Sequence, residues 1–232
     1  MSVLTSVGIL ISAMLIMAFL QFIPGVFALL SHHNYGKFSK LKASDLSIFF
    51  IIGVETIIIL TSLIIYIIIS ALSPLFFSFK ILAWIAASVS LVLSIVFFFC
   101  YFRKGEGNRL YISRSLVSKF QKQIDSVKTR SDAFTLGVTT ILPEAFFTLP
   151  LFFIIISQID ALGSTPLIRA FLVILFAVIT ILPLLIMHSL HSSQHNLADF
   201  IRFRFKNKSF FRWTITILYA ILAILFIMEA LL

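Results

Sequence analysis

Two acidic residues interrupt long apolar runs, Glu55 within Leu46–Leu72 and Glu144 within Phe134–Ile156. If each run is a membrane-crossing helix rising about 1.5 Å per residue, Glu55 lies roughly 14 Å and Glu144 roughly 15 Å from the inner ends of their spans. A carboxyl group at that depth costs on the order of 3 kcal/mol or more to insert, so it must be neutral, paired or in contact with water. Two at one level can share a polar cavity and exchange protons with it. Gly137, Thr140, Glu144 and Thr148 recur at i, i+3, i+7 and i+11, which is one helical face. Pro143 has no N–H for the carbonyl of Thr139, nor Pro150 for that of Phe146. A hydroxyl stripe, freed carbonyls and a carboxylate together suit a cation or an ammonium group. Glu55 has a thinner stripe, with Ser62 at i+7 and Gly53 close by. The plainer reading of both acids is a protonated side chain hydrogen-bonded between helices.

Other candidates are less specific. Pro24-Gly25 and Pro183 interrupt two further apolar runs, as hinges, unwound binding segments or simple kinks. His188, His191 and His195 are spaced i, i+3, i+7, so one helix would align them as metal ligands or proton acceptors. Loop or headgroup contacts are the plainer role for them. Cys100, the only cysteine, reads as a packing residue, and an intramolecular disulfide is excluded. No phosphate-binding glycine loop, Ser/His/Asp set or HExxH motif is present, so the chain is expected to be neither an enzyme nor a cofactor carrier.

These residues have to be positioned by lipid-facing helices. Of the 232 residues 60% are hydrophobic and 12% charged, with a mean hydropathy of +1.12. A water-soluble domain of that size could not hide so much apolar surface. Six apolar stretches are each near the roughly 20 residues that cross hydrocarbon: Val7–Leu30, Leu46–Leu72, Ile81–Phe102, Phe134–Ile156, Leu167–Leu190 and Phe211–Leu232. The expected fold is therefore all-α, a single integral membrane domain over 1–232 with about six transmembrane helices. The first stretch reads as a retained span, because no basic residue precedes it.

Charge sets the expected orientation. Of the 18 Lys and Arg residues, all but Lys80 and Arg169 lie in the segments after the first, third and fifth spans. Six spans put all three on one side, the cytoplasmic one, with both termini outside. The formal charge of +9 then faces anionic lipid headgroups rather than nucleic acid. Ser44-Asp45 and Ser131-Asp132 precede spans two and four, where helix N-caps are expected. Trp84 and Trp213 lie near span ends, as belt aromatics do. In the basic loop 103–133, Leu110, Leu116, Val117, Phe120, Ile124 and Val127 recur at helical spacing. That predicts an amphipathic helix, lying on the inner membrane surface or packed over the inner ends of the spans. Ala87, Ser90 and Ser94 form a small-residue seam for close helix packing. Glu229, near the end of span six, reads as interfacial.

Gln21–Phe27, with Pro24-Gly25, is similar to Thr140–Phe146, with Pro143-Glu144. Residues 1–102 and 134–232 thus read as two three-span repeats, and three being odd, the second is inverted. Inverted repeats with interrupted helices at matching positions point to transporters. With Phe134–Gly137 running on to Leu142-Pro143-Glu144, the chain resembles the LysE/CcdA-type superfamily of small six-helix membrane proteins over most of its length. The resemblance implies export of amino acids or metal ions, or transfer of thiol electrons. The electron-carrying branch has a cysteine after the proline in each half, and Gly25 and Glu144 stand there instead.

The resulting expectation is a secondary transporter of the bacterial plasma membrane. It would export a small solute or cation with carboxylate-linked proton coupling, at a site drawn from Glu144, Glu55, Thr140, Thr148, Gly137, Pro143, Pro24 and Gly25. The competing expectation is a non-transporting membrane protein that acts in assembly or signalling through its basic inner loops.

Overall fold

The computed structural model describes residues 3–20, 22–72, 79–100, 114–162, 165–190 and 206–231. They are helical almost throughout, with no strand among them. The helices are α1 (Val3–Phe19), α2 (Phe22–Lys37), α3 (Lys40–Leu72), α4 (Phe79–Cys100), α5 (Arg114–Ser126), α6 (Arg130–Thr139), α7 (Ala145–Leu162), α8 (Pro166–Leu190) and α9 (Lys208–Leu231). A short 3₁₀ turn, Leu142–Glu144, joins α6 to α7.

Four stretches are long and apolar enough to cross a membrane: Leu4–Ser31, Lys42–Ala71, Pro166–Ser189 and Ser209–Leu231. Ala83–Phe99 and Phe147–Asp160 are shorter apolar helices. Apolar side chains also cover the outside. On α8, Phe171, Ile174, Val178, Leu182 and Ile186 all point outward, at i, i+3, i+7, i+11 and i+15. A helix that is apolar all round fits lipid as its solvent.

Inside, Phe27, Phe50, Phe97, Phe152, Phe176 and Tyr219 are fully buried and join most of the helices into one core. The α4–α9 pair has the most extensive interface. Ala87, Ser90 and Ser94 are buried, as the small-residue seam predicts, and Ser94 donates to the Thr216 carbonyl at 3.0 Å. Phe97 stacks on Tyr219 with centroids 5.4 Å apart, and Phe98 meets Trp213 edge-on at 5.0 Å.

A close backbone approach joins α3 and α6. A Cβ at Gly53 would collide with the Phe134 carbonyl, and a Cβ at Gly137 with the Phe50 carbonyl, besides coming 3.0 Å from the Val54 nitrogen. Each helix thus offers its glycine to the other's backbone, the small-residue logic of membrane helix packing. Arg130, at the start of α6, adds an exposed ion pair to Asp45 of α3 at 2.6 Å and lies over the Phe49 ring at 5.2 Å.

Several local expectations need correction. The helix containing span two starts ahead of Ser44-Asp45: α3 begins at Lys40, and the Ser39 hydroxyl accepts from the Lys42 N–H at 3.5 Å. The cap of α6 is Thr129 rather than Ser131-Asp132, with Asp132 as the third helical residue of a reciprocal capping box. Local side-chain bonds choose caps, and the polar dipeptides nearest the apolar runs were too late, by two residues at Ser131 and by more than a turn at Ser44. Glu229, in the last turn of α9, is 5% exposed, because α9 turns that face toward α1, where Gly8 meets Leu225.

The loop helix expected from the spacing is α5, and its apolar face packs on other helices. Phe120 and Ile124, with Val127 just after it, are buried in the core cluster, and α5 contacts α2 and α6. Leu110 and the basic positions 103–109, 202 and 204 lie outside the described residues, as do the side chains of Leu116 and Val117.

Candidate functional site

The chain breaks twice in the same manner. α1 stops at Phe19, where the Leu20 N–H is shared between the carbonyls of Ile16 (3.1 Å) and Met17 (3.3 Å). α6 stops at Thr139, where the Thr140 N–H is shared between those of Leu136 (3.1 Å) and Gly137 (3.3 Å). A proline follows each stop within about one turn, Pro24 in the first case and Pro143 in the second. Because proline cannot donate, it leaves the carbonyls of Leu20 and Thr139 without their helical partners. At the second break hydroxyls close the helix end: Thr139 Oγ1 donates to the Leu136 carbonyl at 3.0 Å and Thr140 Oγ1 to the Gly137 carbonyl at 2.6 Å.

The two breaks meet at one cavity. Leu20 and Pro24 line it from the first, and Ile141 and Thr148 from the second. Pro183 and Thr180 of α8 and Val54 and Ile58 of α3 complete most of the wall. Val54 and Ile58 flank the centre of the 33-residue α3, so the cavity is near mid-depth. Its volume is about 20 Å³, room for a single water. Thr180 Oγ1 is satisfied by the Phe176 carbonyl at 2.9 Å. Thr148 is different: it is 1% exposed and its hydroxyl has no hydrogen-bond partner. A buried hydroxyl left unmet costs about 1–3 kcal/mol, so this cavity is where a polar guest would be stabilised.

The candidate residues therefore divide. Thr148 and Pro24 line the cavity directly, and Pro143 sits beside the lining residue Ile141. Thr140 is buried and turned back onto its own helix. Gly137 lies in the α3 crossing, while Gly25 is exposed with no other side chain within 4 Å of a Cβ placed there. Glu55 is half-buried on α3 and its Oε2 has no partner, but it is not among the residues lining this cavity. Glu144 closes the 3₁₀ turn with its backbone, and its side chain lies outside what the structure describes. His188 is half-buried near the end of α8, whereas His191 and His195 lie outside the described residues. Among the described residues no three of His, Cys, Asp and Glu come together.

Pro183 was legible as a helix breaker, but its meeting with Pro24 was not. A link at the ends of α7 and α8 was also missed. Arg169 pairs with Asp160 at 3.0 Å and donates to the Tyr66 hydroxyl at 3.2 Å, joining α8, α7 and α3. The sequence signal was only that Arg169 is one of two basic residues outside the basic loops.

At the start of α6, the Asp132 carboxylate accepts from the backbone N–H groups of Lys128 at 3.0 Å and Thr129 at 2.9 Å. The bond from Lys128, then the side-chain and backbone bonds with Thr129, hold its carboxyl below the usual aspartate range. No family model, curated protein or solved structure matches the chain.

Proposed function

We propose that the chain is a six-span secondary carrier that exports a small solute or cation across a bacterial plasma membrane. Its transport site is the mid-depth cavity between the two helix breaks, and protons are coupled to it through Glu144 and Glu55. The observation that carries this reading is the convergence of Pro24, Pro183 and the break before Pro143 on the unmet Thr148 hydroxyl. Transporters use discontinuous helices in this way, because unwound backbone is tolerated in a membrane only where it is buried or lines a cavity.

Six spans are supported by length. α4 has 22 residues, which at about 1.5 Å each reach roughly 33 Å, enough for a hydrocarbon core of about 30 Å. α6, the 3₁₀ turn and α7 together form the fourth span. The matching breaks support two repeats over 1–102 and 134–232, inverted by their odd span number, as in the LysE/CcdA-type superfamily that the chain resembles. Basic segments on one side put both termini outside and bring lysines and arginines to anionic headgroups. A cavity that holds one water is the closed state, so the broken helices have to part to admit a solute.

The test is flux in liposomes that enclose a pH-sensitive dye, with amino acids, monovalent cations and divalent cations offered in turn. At least one class is expected to move protons with it, and Glu144→Gln to abolish that coupling. Unchanged flux in Glu144→Gln would remove the carboxylate mechanism. Absence of flux with every class would favour an assembly or signalling role.

A further inference from the structure

A second and larger cavity, about 350 Å³, lies apart from the helix breaks. It is walled by Ala83, Ala86 and Val89 of α4, Pro150 and Ile154 of α7, and Phe226 of α9. Its rim includes Ile85 and Phe153, which are 48% and 42% exposed on the apolar exterior. The opening therefore faces the bilayer rather than water. Pro150, Ile154 and Gln158 form an i, i+4, i+8 stripe on α7, so Gln158 sits about 12 Å along the helix from Pro150.

Among the described residues only two side chains in the wall are polar. Ser157 is satisfied, donating to the Ile154 carbonyl at 2.8 Å. Gln158 is 2% exposed, and its Oε1 is buried without a hydrogen-bond partner. Among the described residues no charged side chain lines the space.

We propose that this crevice is a binding site for an uncharged, largely apolar molecule that carries a hydroxyl and enters from the lipid. The described wall offers a charged ligand no counter-charge against its desolvation, so it suits an uncharged one. The volume falls in the range of small-molecule sites, about 300–1,000 Å³. A hydroxyl both donates and accepts, so it satisfies the Gln158 amide whichever of its atoms it meets. The apolar body then lies along Ile154 toward Pro150, filled out by the space that Ala83 and Ala86 leave on α4. The site stands independently of the carrier reading.

The probe is an alkylphenol bearing a photoactivated diazirine, used on the full chain in lipid nanodiscs with peptide mass spectrometry as readout. Saturable labelling is expected on 83–89 or 150–158, competed by the unlabelled alkylphenol. Ala86→Phe fills the space and should abolish it, and Val89→Phe should do the same if the first variant fails to fold. Gln158→Leu keeps the volume and loses the polar partner, so the competitor's affinity should fall about fivefold. Non-saturable labelling spread over outward-facing positions would overturn the proposal, as would equal labelling of folded Ala86→Phe or unchanged affinity in Gln158→Leu.

Discussion

The two helix breaks share a geometry and differ in what surrounds them. Around the second, α6 is clamped: Gly137 abuts the α3 backbone, threonine hydroxyls close the helix end, and a capping box fixes its start. Around the first, no hydroxyl belongs to Phe19 or Leu20, and Gly25 looks onto open space. Both press a proline-freed segment on the same cavity. The difference teaches that α6, locked onto α3, fixes the second break in place and that α2 is the element with room to shift, since packed backbone leaves no slack while an exposed glycine does.

The largest effect should come from breaking the clamp. Gly137→Ala forces a Cβ into the Phe50 carbonyl, and because the obstruction is backbone the cost should be about 3 kcal/mol. A thermal melt in detergent checks it, and Gly53→Ala should behave alike. An unchanged melting temperature would mean the crossing is looser than described.

Next comes Thr148→Val, which removes the unmet hydroxyl while keeping the shape. It should stabilise the closed form by about 1 kcal/mol and slow transport in the liposome assay. If it instead destabilises, an ordered water already serves that hydroxyl.

Thr129→Ala removes the cap of α6 and should cost about 1 kcal/mol. The same box predicts a pH signature. A carboxyl lowered in the folded chain contributes its stability above the ordinary aspartate range and loses it as pH falls through the lowered native value. Asp132→Asn should remove that acid-side dependence, measured by melts across the acid range.

The smallest effect is opposite in sign. Gly25→Ala meets nothing and gains helix propensity, so it should stabilise by about 0.5 kcal/mol. Destabilisation there would erase the contrast between the two breaks.

Much of this architecture was readable in the residues. Apolar runs foretold the helices, because span length is a local fact; prolines marked the breaks only at Pro24 and Pro143, while α7 and α8 run on through Pro150 and Pro183. The cavity was only half readable. Thr148 and Pro24 were candidates, but the pairing of Pro24 with Pro183 depends on how α2 and α8 pack, which no local pattern encodes. Gly137 illustrates the opposite failure: its place in a polar stripe suggested ligand binding, while its missing Cβ serves the crossing with α3. Arg169 and Asp160 meet because α7 and α8 are joined by a short link, a contact that charge counting passes over.

Alternating access through these breaks requires the closed cavity to become aqueous. Thr148→Cys in a Cys100→Ala background, reconstituted and exposed to a membrane-impermeant thiol reagent, tests this directly. Alternating access predicts that the thiol is modified when reagent is applied to either face of the membrane, one face at a time. A thiol that stays unreactive from both faces in a folded, reconstituted protein would contradict it.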